Sequence, residues 1–126
     1  MKNLLVPSAM FLCLILFVSF ANSSLLNLCD NITDNTIEIE NMIRNKDFES
    51  ANKVASDMIN LINDNNVISS IYLNHSDLDC LMDEAAELLI YTECENYEEC
   101  LIATNSLRAF STNLRHLHEP TIENIL

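Results

Sequence analysis

No glycine occurs anywhere in these 126 residues, and proline occurs only at Pro7 and Pro120. Turns that need positive φ must therefore be made by residues carrying a Cβ, with Asn and Asp the least penalised. Two-residue β-hairpins depend on such turns, so a sheet of hairpin-linked strands is disfavoured. Helices need only a cap and a short polar connection, and the apolar residues recur at helical spacing.

Leu25, Leu28, Ile32, Ile39 and Met42 follow steps of three and four if Asn35 fills the missing place, which predicts a first helix over roughly residues 24 to 45. Asn45, Lys46 and Asp47 then form a turn, with Asp47 as N-cap of a second helix carrying Phe48, Ala51, Ala55, Met58 and Ile62. That stripe loses phase at Asn63, Asp64, Asn65 and Asn66, all poor helix formers, and resumes at Val67, Ile68, Ile71 and Tyr72. The second helix is therefore expected to kink near Asn63–Asn66. Asn74, His75 and Ser76 mark another turn, with Ser76 and Asp79 near capping-box spacing ahead of a third stripe of Leu78, Leu81, Met82, Ala85, Leu88 and Leu89. Asn96, with Glu99 three residues on, caps a fourth helix bearing Cys100, Ala103, Leu107, Phe110, Leu114 and Leu117, and Pro120 stops it. Four amphipathic segments joined by short polar turns predict an all-α fold, an up-down antiparallel four-helix bundle.

Ahead of this domain lies an apolar stretch from Leu4 to Ala21, with Lys2 as the only charge before it. It has two readings. As a signal peptide it has the basic start, the apolar middle, and small residues Ser19 and Ala21 three and one places before a cut ahead of Asn22. As an uncleaved anchor, its 18 residues make about 27 Å of helix, just short of the ~30 Å hydrocarbon core. Pro7 and Ser8 weaken the longer reading, and no lipid-attachment pattern surrounds Cys13. Residues 1–21 are thus a signal peptide or membrane anchor, and residues 22–126 form a single helical domain.

The formal net charge is −13, and all 19 Asp and Glu follow Ala21. An excess of that size repels phosphate backbones and anionic head groups, which argues against nucleic acid as a partner. Contact with a membrane is expected only through residues 4–21, if they are retained. Four cysteines follow Ala21, namely Cys29, Cys80, Cys94 and Cys100, and an even count in a short exported chain suggests two disulfides. Three connectivities are open by spacing alone, and four free thiols are the other reading. The bundle favours Cys94 with Cys100 across the turn between helices three and four. That pairing leaves Cys29 with Cys80, both near the starts of helices one and three.

No known nucleophile signature surrounds any Ser or Cys, and without glycine there is no phosphate-binding loop, so catalysis is not expected and no cofactor is implied. His75, before helix three, and His116 and His118, ending helix four, meet at one end of such a bundle beside Asp77, Asp79 and Glu119. Imidazoles with carboxylates bind Zn²⁺ or Cu²⁺, which makes His75, His116 and Asp79 minor metal candidates. His116 and His118 point to different sides of a helix, so only one of them can join His75. Helix-end His is also favoured by the dipole alone. Asn22-Ser23-Ser24, Asn31-Ile32-Thr33 and Asn74-His75-Ser76 match the N-glycosylation acceptor pattern, with Asn31 and Asn74 the relevant sites if the source is eukaryotic.

The apolar start, the Asn45-Lys46-Asp47-Phe48 turn with Ala51 behind it, the Asn74-His75 junction followed by Leu78, and the ending Pro120-Thr121-Ile122-Glu123-Asn124-Ile125-Leu126 together resemble the bacterial family domain of unknown function 4363. The resemblance spans nearly the whole chain and implies export or anchoring and a helical fold, with no established activity. In the tail, Ile122, Ile125 and Leu126 are expected to fold back on the bundle, with docking to a partner as the functional alternative.

Two expectations from different classes follow. One is a non-enzymatic extracytoplasmic helical interaction or assembly protein with an unknown protein partner. The other is a secreted eukaryotic, disulfide-bonded helical ligand or effector of cytokine-like type.

Overall fold

In a computed structural model that describes residues 2–71 and 73–118, the chain is all-helical, with no strand among the described residues. Four long helices, α1 (Lys2–Arg44), α2 (Phe48–Asp64), α4 (His75–Glu93) and α5 (Tyr97–His118), are joined with a single-turn helix α3 (Asn66–Ser69). Helix α1 contacts α2 and α5, and α4 contacts the same two, so the four close around a shared core. The tail from Pro120 to Leu126, and with it the expected fold-back, lies outside the described residues.

The main departure from the sequence reading is at the start. The apolar segment and the first helix of the domain are one unbroken helix of 43 residues, about 65 Å long. Asn22, Ser23 and Ser24 resemble a linker by propensity, yet Ala21, Leu25, Leu28 and Cys29 on either side are buried, and that packing holds them helical. Pro7 is tolerated because it lies near the amino end, where one missing N–H costs a single early hydrogen bond.

Along α1 the core stripe is Leu25, Leu28, Ile32, Thr36, Ile39 and Ile43. Thr36 fills the place expected of Asn35, and Ile43 replaces Met42, which is only partly buried. In α2 the buried residues are Ala51, Ala55, Met58 and Ile62, as the stripe predicts, and Asp47 caps the helix by accepting from the Ser50 N–H at 3.2 Å. Helix α2 stops at Asp64, where Asn65 turns its side chain back and donates to the Leu61 carbonyl at 2.8 Å. Of the apolar face expected beyond it, Val67 and Ile71 are exposed, and the side chains of Ile68 and Tyr72 lie outside the described residues. Helix α4 begins earlier than the capping box suggests, because Asn74, not Ser76, accepts from the Asp77 N–H at 2.8 Å. Helix α5 is capped by Asn96 as expected, but Leu117 at the end of its stripe is exposed.

The unit α1–turn–α2 is repeated by α4–turn–α5 almost bond for bond. Asp47 N donates to Met42 O at 2.8 Å and Asn96 N to Tyr91 O at 3.1 Å. Lys46 N donates to Ile43 O at 2.9 Å and Glu95 N to Thr92 O at 3.2 Å. Lys46 and Glu95 both take left-handed φ, at 60° and 54°. Asp47 and Asn96 are equivalent caps, Phe48 and Tyr97 begin the helices, and Ala51 and Cys100 are both fully buried. Ile32, Thr36, Ile39 and Ile43 correspond to Leu81, Ala85, Leu88 and Thr92. With no glycine available, the chain solves the same turn twice with a Cβ residue at positive φ, at a cost of roughly 1 kcal/mol each.

Candidate functional site

The feature that sets this molecule apart is the place where the bare half of α1 enters the bundle. From Leu4 to Phe20 every side chain is exposed, Leu4 at 75 % and Phe20 at 63 %, whereas Ala21 is 1 % exposed. This half of α1 is long and apolar enough to cross a membrane, with a mean hydropathy of 2.5 over its best window. The hollows along Val6, Ala9, Met10, Cys13 and Phe17 are open grooves on a single helix. They enclose no site.

The bundle end at this junction has its own small core of Leu25, Cys29, Leu73, Leu78 and Leu114, with Phe110 against it. Polar bonds then tie α1 to α5 along their length. Ser111 Oγ donates to the Cys29 carbonyl at 2.9 Å, and Arg115 Nε meets Asp30 Oδ1 at 2.6 Å. Further along, Arg108 Nη2 binds Glu40 Oε2 at 2.7 Å and the Thr36 carbonyl at 3.2 Å, while its Nε donates to Thr36 Oγ1 at 3.1 Å. Thr36 Oγ1 in turn donates to Thr33 O at 2.6 Å, so the buried hydroxyl is satisfied. The hydrogen bond from Arg108, then the one from Arg44, hold the Glu40 carboxyl below the usual carboxylate range.

All five cysteines are free thiols in this structure. Cys29 points inward to the Leu25–Leu78 cluster, but Cys80 lies two residues past Leu78, about 200° round the helix, and is exposed. The two therefore face different ways, and no Cys29–Cys80 bond is present in this structure. Cys94, at the C-cap of α4, is exposed and Cys100 is buried. They are near enough that Cys94 adds to the rise of the Cys100 thiol, which burial first pushes up to about 11. Burial likewise raises Cys29 to about 11 against the lowering effect of Ser111. Two inert core thiols and two exposed ones are the outcome.

The described residues contain no group of three or more His, Cys, Asp or Glu placed to hold a metal ion. His75 is exposed on the first turn of α4, Asp79 is exposed one turn on, and His116 is exposed near the end of α5. Asn31 is exposed in the middle of α1, and Asn74 is occupied as the α4 cap. At the opposite end a polar hollow of about 260 Å³ is lined by Phe48, Glu49, Asn52, Thr92, Glu93 and Glu95. Asn52 Nδ2 spans it, donating to Thr92 Oγ1 at 3.0 Å and Leu89 O at 3.3 Å, which joins α2 to α4.

The buried hydroxyls of Thr36, Thr92, Thr104 and Ser111 were invisible to a hydropathy reading. Step continuity, as in Ile32, Thr36, Ile39, Ile43, was the signal that could have found them. No curated protein and no solved structure matches the chain. A family model does match, over residues 19–125, which takes in the buried junction as well as the bundle: the chain belongs to the family described as domain of unknown function (DUF4363).

Proposed function

We propose that this protein is a membrane-anchored extracytoplasmic helical module without catalytic activity, which holds an acidic bundle at the lipid surface to meet a protein partner. The observation that carries this reading is the unbroken course of α1 from bare apolar residues into the buried core at Ala21. Cleavage ahead of Asn22 would cut a helix at a residue the bundle already buries, which favours retention. Orientation follows from charge. Lys2 precedes the span and no Lys or Arg follows it before Arg44, so the amino terminus stays on the cytoplasmic side.

The bundle is read as up-down and antiparallel. The three-residue connections at Asn45–Asp47 and Cys94–Asn96 support this, as does the order of the α1–α5 bonds, in which Arg108, Ser111 and Arg115 meet Glu40, Cys29 and Asp30. The change of direction at Asn63–Asn66 is read as the kink that turns α3 beneath the end of α2 toward α1. Cys94 with Cys100 is the one disulfide the layout still favours, formed where a thiol oxidant is present. The family match lends no support to a cytokine-like ligand.

Alkaline carbonate extraction of membranes from cells expressing the full chain tests the anchor. Retention in the pellet is expected, and release to the supernatant would reject it.

A further inference from the structure

Among the described residues of the bundle, Ile37, Ile90 and Ile102 are exposed singly on α1, α4 and α5, and three further exposed apolar residues are grouped. Val67, at 79 % exposure, and Ile71 follow α2 on the segment that packs against α1, and Leu117, at 70 %, closes α5. All three belong to the end built on Leu25, Leu73, Leu78 and Leu114, from which the bare half of α1 emerges. Exposure here comes from two separate segments, so no single helix stripe explains it.

Charge follows the same geography. Between Lys2 and Asp30 there is no Asp, Glu, Lys or Arg, and none occurs between Asp64 and Asp77. From Cys100 to His118 there is no carboxylate, and α5 finishes in Arg115, His116 and His118. In a chain with 19 acidic residues these runs are acid-poor, while Asp77 and Asp79 open α4 at this same end. Asp30, the acidic residue of α1 nearest the span, is matched by Arg115.

The span is also short. Leu4 to Ala21 reaches about 27 Å against a hydrocarbon core of ~30 Å, and a short span draws its flanks inward. On one side the flank is Lys2, the only charge ahead of the span. On the other it is the uncharged run from Asn22 to Cys29 with the bundle end around it.

We propose that this end of the bundle is a lipid-contact surface, with Val67, Ile71 and Leu117 seated at the boundary of acyl chains and head groups around the exit of α1. The inference rests on the anchor reading and adds to it: the module does not sway on a tether but sits on the bilayer. Its polar far end, with Lys46, Glu49, Glu95 and Glu98, is then held outward as the face available to a partner.

The chain has no tryptophan, so single substitutions report position directly. The full-length protein is placed in phosphatidylcholine–phosphatidylglycerol vesicles with and without brominated acyl chains, as Phe17→Trp, Val67→Trp, Leu117→Trp and Ile102→Trp. Phe17 marks the span, and Ile102 is an exposed apolar residue in the first half of α5. Circular dichroism confirms that each variant keeps its helices. For side chains ~5–10 Å into the boundary, brominated lipid is expected to cut Val67→Trp and Leu117→Trp emission by roughly half, and to leave Ile102→Trp unchanged. If Phe17→Trp is quenched while Val67→Trp and Leu117→Trp behave like Ile102→Trp, the surface is refuted and the anchor stands. An unquenched Phe17→Trp overturns both. Blue-shifted but unquenched emission at Val67 and Leu117 would mean that a second copy covers them, which also refutes the proposal.

Discussion

Replacing Arg108 by Met isolates the polar seam between α1 and α5, because Met keeps most of the aliphatic stem and removes the guanidinium. Four bonds are lost, three of them to α1 (Glu40 Oε2 at 2.7 Å, Thr36 Oγ1 at 3.1 Å and Thr36 O at 3.2 Å) and an exposed one within α5 to Asn105 Oδ1 at 3.4 Å. A hydrogen bond to a charged group contributes roughly 1.5–3 kcal/mol when buried. Here the Arg108 and Glu40 side chains are 26 % and 20 % exposed, so solvent screens part of the ion pair. Thr36 keeps its own bond to Thr33 O, so no buried hydroxyl is orphaned. The expected loss is therefore about 2 kcal/mol, read by urea unfolding of the full chain in a mild detergent that shields residues 4–20.

The pH dependence has a definite sign. The Glu40 carboxyl is lowered, chiefly by Arg108, so its contribution is present above the ordinary carboxyl value of ~4.3 and disappears as pH falls through the lowered folded value. The cost of Arg108→Met should thus be largest near neutrality and shrink in acid. Glu40→Gln should remove the same pH-dependent part, and the double mutant should show coupling of about 1 kcal/mol. A cost that is equal at neutral and acid pH, or strictly additive mutants, would refute the role given to this pair.

Other expectations concern the core, the turns and the thiols. Leu107→Ala, at a fully buried position, should destabilise the bundle by about 2–5 kcal/mol in the same unfolding assay. Asp47→Ala and Asn96→Ala should each cost about 1 kcal/mol, and similar amounts, because they cap equivalent turns. Lys46→Gly and Glu95→Gly should instead stabilise by up to ~1 kcal/mol, since glycine accepts the left-handed φ without a Cβ penalty. Under reducing conditions, maleimide should modify Cys80 and Cys94 quickly and spare Cys29 and Cys100 until unfolding, while non-reducing peptide mapping after oxidation should join Cys94 to Cys100 and not Cys29 to Cys80.

The helices were largely legible because their signals are local. Asp47 and Asn96 stood out as caps, since a side-chain oxygen there satisfies an N–H that has no partner in the helix. Asn74 was passed over for Ser76 because both can cap and only the packing of Leu73 and Leu78 chooses between them. Thr36, Thr92 and Thr104 were missed for a shared reason: each returns its hydroxyl to a carbonyl one turn back and so packs as a small apolar residue. The junction was the least legible part. Asn22, Ser23 and Ser24 have weak helix propensity, and the contacts that keep them helical come from Leu73, Leu78 and Leu114, far along the chain. The outward turn of Val67, Ile71 and Leu117 was hidden too, since periodicity describes a helix face and these residues lie where faces end.

Persistence of α1 as one helix from the lipid into the bundle is read by intact mass spectrometry of the protein isolated from its native cells, in the membrane and released fractions. A retained anchor gives a chain that begins at Met1, or at Lys2 after removal of the initiator, recovered with the membranes. A released chain beginning at Asn22 would contradict it.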